Sequence, residues 1–417
     1  MTKPAAIVTY MGYSGLGIVR SLGRRGIPVF TLDPDLTEIG MSSRFCTRQE
    51  CPPIEKSERD NLDFLARLAS SLSDKPVLFP TSDNVVHAYA GREDILKSHL
   101  RLTTPGREVI AKTAAKDSLF RTAREYGIPV PETFVPKSPD EVKAISATIP
   151  YPCLIKPVRS NSWHREAVQK TLKGILGGSE KSILAGTPEA LISAYSTISE
   201  LDADVIISEV IPGDDRNLVY FAFYRAADGR VWHISGRKER ITPVHFGSAS
   251  YVVSITDSVL ERLSLNFLEK LEYRGLGGIE FKRDSRNGEY KLIELNARYG
   301  LWDALGARCG VDTAYIAYLD AIGERLPEPR PARAGVKWIS ISRDFGALRG
   351  YRREGSIRTR DWIRSLAGEK MWAVFAWDDL VPAATAAMRF SRRLFRHYAA
   401  SSRSRVGQLG NATERPM

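Results

Sequence analysis

Gly278-Ile279-Glu280-Phe281-Lys282 and Tyr290-Lys291-Leu292-Ile293-Glu294-Leu295-Asn296-Ala297-Arg298 alternate apolar with polar residues, and Ser285-Arg286-Asn287-Gly288 lies between them. A period of two marks half-buried strands, and an Asn-Gly step between two of them marks a hairpin. Ile279 and Phe281 flank Glu280, and Ile293 and Leu295 flank Glu294, so the two acids share the opposite face. Asn296 joins the face of Glu294 by the same period. Two carboxylates and an amide oxygen converging on one point suit Mg²⁺, a hard cation that takes oxygen ligands and bridges phosphates. A solvent-washed face fits the alternation equally well.

Upstream, the strand-like run Cys153-Leu154-Ile155-Lys156-Pro157 carries a lysine among apolar residues. An unpaired ammonium there is costly, so Lys156 must meet an anion or snorkel out from the strand end. Lys116 sits in a helical stretch, Arg107 to Tyr126, closed by Gly127 with Pro129 and Pro131 beyond. Alone it reads as a solvated helix lysine. Asp204 to Val210 is another strand, stopped by Pro212-Gly213; its end at Ser208-Glu209-Val210-Ile211 frees backbone groups that could read a base edge. Leu218 to Tyr224 and Val231 to Gly236 form a hairpin turning at Ala226-Ala227-Asp228-Gly229, and Val259 to Leu271 has helical spacing.

The first hundred residues alternate strand and helix patterns. Ala5 to Tyr10, Pro28 to Leu32 and Pro76 to Pro80 read as strands, with helical spacing over Ile18 to Leu22 and Leu62 to Leu72. That rhythm implies a parallel sheet covered by helices. Gly12, Gly15 and Gly17 occupy the first strand-to-helix turn, without the G-x-G-x-x-G spacing of a dinucleotide fingerprint. A tight turn explains them; a substrate contact at the same loop is the functional alternative.

The chain has 417 residues, which suggests two or three packed units. Its 43% hydrophobic and 26% charged residues are those of a soluble globular protein. No run approaches the roughly 18 apolar residues of a membrane span, and no secretory leader is expected. Four cysteines, Cys46, Cys51, Cys153 and Cys309, form no CxxC pair, which disfavours a zinc site or a disulfide scaffold. The net charge of +11 owes much to Arg389, Arg392, Arg393, Arg396, Arg403 and Arg405. With no stacked-aromatic motif, this argues for a local tail interaction rather than a nucleic-acid enzyme. After Pro327-Glu328-Pro329 the composition turns Trp- and Arg-rich. The tail resembles a disordered segment, and the basic helical pattern of Ala383 to Tyr398 is a solvated helix or a contact with an anionic membrane.

In this order the features resemble the ATP-grasp superfamily, in the carboxylate–amine ligase branch related to D-aspartate ligase and carbamoyl-phosphate synthase. The resemblance covers roughly residues 1 to 325. It implies an α/β and α+β architecture: a Rossmann-like unit over 1–105, an ATP-grasp domain over 106–325 and a helical C-terminal extension over 326–417. The ATP-grasp domain would split into a small lobe at about 130–210 and a large lobe at about 211–325. ATP and Mg²⁺, with Mn²⁺ as a substitute, are the implied cofactors. Lys116 and Lys156 match the phosphate-binding lysines; Ser208, Glu209, Val210 and Ile211 match the adenine-side strand, with Asp215 as the ribose acid. Glu280, Glu294 and Asn296 match the metal ligands. Arg298 matches an arginine that steadies the transferred phosphate, and Lys238 and Arg240 lie on a basic strand that contacts phosphate and acyl groups. A glycine-rich flap usually follows the second lysine. Here that stretch reads Val158-Arg159-Ser160-Asn161-Ser162-Trp163-His164-Arg165, and Gly177-Gly178 comes later. His164, His233 and His245 receive no catalytic role.

The implied reaction is ATP-dependent activation of a carboxylate as an acylphosphate, then displacement of phosphate by an amine. A different acceptor, or a weak or regulatory ATP-binding relative tied to surface-polysaccharide synthesis, are the alternatives. Expected partners are a small carboxylate and an amine, not nucleic acid, with a homodimer and a peripheral membrane contact of the basic tail as further expectations. The expected location is the cytoplasm, with the tail against the inner face of the membrane.

Overall fold

The computed structural model describes residues 3–159, 162–175, 181–389 and 391, without the side chain of His164. Ser160, Asn161, Gly177, Gly178 and the arginines from Arg392 onward lie outside the described residues, so the expectations about a flap and a disordered basic tail fall there.

The first sheet contains β1 (Ala6–Thr9), β2 (Val29–Asp33), β3 (Thr47–Glu50), β4 (Val77–Pro80) and β5 (Arg101–Leu102), in the order β3-β2-β1-β4-β5. All its pairings are parallel. Every residue of β1 and β4 is buried, as central strands covered on both faces require. The glycines after β1 serve packing. A Cβ on Gly17 would fall 2.9 Å from the Ala304 Cβ, and one on Gly15 would fall 2.9 Å from Met11 Sδ. The helix Tyr13–Gly23 therefore lies tight against the chain beyond Arg298.

The second sheet joins β6 (Thr133–Phe134), β7 (Cys153–Pro157), β8 (Ile183–Ala185) and β9 (Val205–Glu209), ordered β6-β9-β7-β8 and antiparallel throughout. Helices Pro139–Ser146 and Pro188–Ser199 cover it, each opened by a hydroxyl cap and a proline in the first turn: Ser138 accepts from Glu141 N–H and Thr187 from Ala190 N–H. This lobe has a core of its own, built on Cys153, Ile155, Trp163, Leu191, Ile198 and Ile207.

The third sheet has seven strands: β10 (Leu218–Arg225), β11 (Val231–Thr242), β12 (Ser248–Ile255), β13 (Gly275–Arg283), β14 (Tyr290–Asn296), β15 (Lys337–Ile339) and β16 (Lys370–Trp372). Their order is β14-β13-β10-β11-β12-β15-β16. The β10–β11 turn closes with Gly229 N–H donating to Ala226 C=O, and Gly229 takes φ +88°. The β13–β14 hairpin closes with Gly288 N–H donating to Asp284 C=O, where Gly288 takes φ +78°.

Three expectations change. The helix over 107–126 is two helices, Arg107–Thr113 and Lys116–Glu125, and the break puts Lys116 at a helix start whose N–H donates to Val158 C=O. Strand β11 runs past Gly236 to Thr242, through Arg237-Lys238-Glu239-Arg240. The chain beyond 326 supplies helices Ile341–Arg353 and Thr359–Ser365, but also β15 and β16 at the edge of the large sheet. The segment after β16 then crosses to the first unit, where Asp379 meets Arg20 in a buried ion pair at 2.9 Å.

The first unit and the large sheet share one core. Ala6, Val8, Ile18, Val19 and Leu22 pack with Tyr224, Trp232, Leu276, Tyr299, Val311, Ile316 and Tyr318.

Candidate functional site

A cleft of about 400 Å³ opens between the second and third sheets and reaches the ends of the first unit. Three Cα partners line it, Glu294 on β14, Glu280 on β13 and Tyr220 on β10, and Gly236 on β11 continues the row. The hairpin register places the two glutamates directly opposite one another, so they share a face as the alternation requires. The Trp302 ring covers Gly236, where a Cβ would lie 2.5 Å from the ring, and meets Tyr220 edge-on with centroids 5.4 Å apart.

Lys238 lies farther along β11, and its Nζ donates to Glu280 Oε2 at 2.6 Å with both side chains largely buried. Such a carboxylate needs a cation, and the lysine supplies one. Past β14, Arg298 forms two hydrogen bonds to Asp83, Nε to Oδ1 at 2.7 Å and Nη2 to Oδ2 at 2.8 Å. The same Nη2 donates to Asn296 Oδ1 at 3.1 Å. Asp83 opens the helix Asp83–Ala90 just beyond β4 of the first unit. Desolvation opposes both charges, yet the pairing outweighs it: Asp83 is held below the usual carboxylate range and Arg298 is raised further above its already high value.

Lys116 and Lys156 enter from the other side. Burial lowers both; Lys156 is pushed down to about 8, with the neighbouring Lys116 charge adding to the effect and Glu294 and Glu280 opposing it. For Lys116, Glu294 is the main charge that counters burial. Two ammonium groups in so small a space favour a polyanion between them.

The far end of the cleft is lined by Leu154, Ser208, Glu209, Val210, Ile211 and Pro131. The Glu209 carboxylate is committed to protein partners: Glu132 N–H donates at 3.0 Å, Arg286 Nη2 at 2.9 Å, and Lys291 Nζ also donates. Burial works to raise its pKa, but these donors hold it below the ordinary value. It thus ties the small lobe to the β13–β14 hairpin, while the chain after it lines the cleft.

The structure brings eleven of the thirteen expected site residues to this cleft: Lys116, Lys156, Ser208, Glu209, Val210, Ile211, Lys238, Glu280, Glu294, Asn296 and Arg298. Two of them, Asp215 and Arg240, do not line it. Asp215 is 5% exposed and accepts from the Tyr351 hydroxyl at 2.5 Å and from His245 N–H at 3.1 Å, so it is not presented to a ribose. Arg240 is buried in a two-point pair with Asp344, at 2.8 and 2.7 Å, and stacks 4.3 Å from the Tyr251 ring; it does not line the cleft. Gly12, Gly15 and Gly17 do not line the cleft.

Sequence reasoning missed Asp83, Tyr220, Lys282 and Trp302, all in the lining. Asp83 had one available signal, its position just after a strand of a parallel sheet, where such sheets carry their sites.

The donor set fits a hard divalent cation. Glu280, Glu294 and Asn296 offer carboxylate and amide oxygens beside lysines suited to phosphate, leaving further positions for phosphate oxygens and water. Among the described residues there is no group of three or more His, Cys, Asp and Glu side chains that could hold a metal by themselves.

A mixed sheet and a small antiparallel sheet face each other across this cleft, behind a parallel α/β unit. The model for the carbamoyl-phosphate synthase L chain, ATP binding domain, matches residues 247–329. D-aspartate ligase of Enterococcus faecium (strain Aus0004) is 30% identical over 193 residues, covering 44% of this chain and 44% of that enzyme. The match thus spans less than half of the relative's own length. Among solved structures, biotin carboxylase from Campylobacter jejuni superposes with a TM-score of 0.64 at 16% identity, covering 81% of this chain and 75% of that one. The L-amino acid ligase from Bacillus licheniformis gives 0.59 at 12% identity, covering 78% and 76%. At such identities the structures define the fold. The chain thus resembles the carbamoyl-phosphate synthase ATP binding domain and D-aspartate ligase over part of its length, and it shares the fold of biotin carboxylase.

Proposed function

We propose that the chain is an ATP- and Mg²⁺-dependent ligase that activates a small carboxylate as an acylphosphate and joins it to an amine. The observation that carries this reading is the opposition of Lys116 and Lys156 to Glu280, Glu294 and Asn296 across one cleft, with Arg298 beside them. The relatives agree in kind: D-aspartate ligase and L-amino acid ligase are among them.

In this reading Lys116 and Lys156 hold the phosphates, and Ser208, Glu209, Val210 and Ile211 form the base end of the site. Glu280, Glu294 and Asn296 would hold the metal, which would supply positive charge beside the phosphates. The bound carboxylate attacks the γ-phosphorus, ADP departs, and an amine displaces phosphate from the acyl carbon. Arg298, fixed by Asp83, and Lys238, paired with Glu280, would face the charge that develops on the transferred group. Fixed charges aimed at that point are the main catalytic demand of phosphoryl transfer. The division at about 105 and 325, with lobes at about 130–210 and 211–325, belongs to the same proposal.

ADP release with Mg²⁺, pooled small carboxylates and pooled amines tests it. Release that requires both pools is the expected result. Nucleotide binding without ADP from any pool would favour a regulatory ATP-binding protein instead.

The finer expectation of a peripheral membrane contact has one supporting feature. Trp377 is 84% exposed, and Leu380, Val381 and Met388 are also exposed ahead of the basic tail. No helix among the described residues is long and apolar enough to cross a membrane. Co-sedimentation with anionic vesicles, comparing the full chain with one ending at Leu380, checks this; equal partitioning rejects it.

A further inference from the structure

Lys282 lines the cleft from β13, two residues beyond Glu280. In the pairing with β10, Glu280 faces Tyr220 and Lys282 faces Leu218, and all four line the cleft. The two β13 side chains therefore share one face, as a period of two requires. Lys282 is only partly exposed, yet among the described residues it makes no hydrogen bond and no ion pair. The other two lysines of these strands are engaged, Lys238 with Glu280 and Lys291 with Glu209 and Asp284.

Three acids are near enough for their charge to reach Lys282: Asp215, Asp214 and Asp284. Each is held by other donors. Asp215 accepts from Tyr351 and His245, Asp214 from Arg216 N–H, and Asp284 from Arg286. On β14 the Cα partner of Lys282 is Lys291, and like charges directly opposite one another weaken a sheet. A half-buried ammonium so placed is costly unless an anion comes to it.

Its place along the cleft says which anion. On one side, Lys291 and Arg286 of the hairpin hold Glu209, which marks the base end. On the other lie Glu280 and Glu294, the carboxylates of the metal end. Two residues of a strand span about 7 Å, so Lys282 stands about that far from Glu280. A metal at Glu280 would sit beside the outer phosphates, and one such step toward the base reaches the phosphate joined to the ribose. Asp215, expected at the ribose, is turned away there, and a cation stands in the lining instead.

We propose that Lys282 binds the α-phosphate of the nucleotide. This rests on the nucleotide site of the ligase reading above. Lys116 and Lys156 hold the outer phosphates from across the cleft, and Lys282 grips the inner one from the large sheet. The contact belongs to the nucleoside monophosphate part of the ligand, so AMP carries it and adenosine does not.

Titration calorimetry of the full chain with adenosine, AMP and Mg-ADP tests this. Lys282→Met should weaken AMP and Mg-ADP by about tenfold each, the loss of one charge-assisted contact, and leave adenosine unchanged. Lys282→Arg keeps the charge and should retain most of the affinity. Met preserves the apolar stem and relieves the repulsion from Lys291; Lys282→Gln serves as the second variant if the first does not fold. A loss confined to Mg-ADP would place the contact on an outer phosphate and overturn the proposal. An equal loss for adenosine would make Lys282 a shaping residue only, and no loss at all would give it no role; either result overturns the proposal. A wild-type chain that binds none of the three ligands overturns the nucleotide site and this assignment together. One that binds them but forms no amide overturns the ligase reading alone.

Discussion

Lys156 reaches the cleft from a strand whose other residues are buried, and its ammonium pays for that position with a pKa near 8. Below that value the lysine is charged and attracts a polyphosphate; above it the charge is lost. ATP affinity should therefore weaken as pH rises from 7 to 9, and Lys156→Arg, which stays charged, should flatten the dependence. Titration calorimetry at three pH values checks this, and a wild-type affinity that holds constant to pH 9 contradicts it. On the opposite wall, Glu294→Gln removes one of two carboxylates from the metal's donor set. Turnover of Mg-ATP should drop about a hundredfold or more with unchanged circular dichroism; full activity would refute the metal assignment. The period of two exposed Glu280, Glu294 and Asn296 as one face, and the apolar run around Lys156 marked that lysine as one in need of a partner. Asp215 and Arg240 could not be read this way. Their partners Tyr351 and Asp344 lie more than a hundred residues along the chain, and only the fold shows that these charges are already spoken for.

The β13–β14 hairpin shows what an element contributes beyond its residues. Its register aligns Glu280 with Glu294, and its glycine at 278 leaves room for the Tyr220 hydroxyl. Gly278→Ala should push that ring aside and cost about 1–3 kcal/mol of stability by overpacking. Urea unfolding measures the cost, and a midpoint equal to wild type would show that the ring has room to move. The hairpin was legible because Asn287-Gly288 sits between two alternating runs. The break at Ala114-Ala115 was not, since both residues suit a helix and only the bond from Lys116 N–H to Val158 C=O fixes a new start there. Strand β11 was cut short for a related reason. Its Arg237-Lys238-Glu239-Arg240 run breaks the apolar alternation, and Glu280 and Asp344 pair Lys238 and Arg240 within the fold.

At the scale of the whole molecule, the chain after β16 returns to the first unit and closes on it. Asp379 meets Arg20 there with both side chains buried, and Ser43 Oγ and Arg44 N–H donate to the same carboxylate. Asp379→Ala strands the Arg20 charge and should destabilise the fold by about 3–5 kcal/mol. Chemical denaturation with and without the substitution gives the number; a loss below about 1 kcal/mol would mean that Arg20 finds water instead. The parallel unit was readable from strand rhythm, while the division into a small and a large lobe came only from the resemblance. The return of the tail was not, because nothing local in Asp378-Asp379 names an arginine some 350 residues earlier. The core shared by the first unit and the large sheet also limits how this chain can be recombined. A piece starting after β5 would expose the apolar side of the helix Thr313–Ala321 to water and would tend to aggregate. The small lobe, with a core largely to itself, suits a graft from a distant relative best, provided Ile206, which packs in the large-sheet core, is kept.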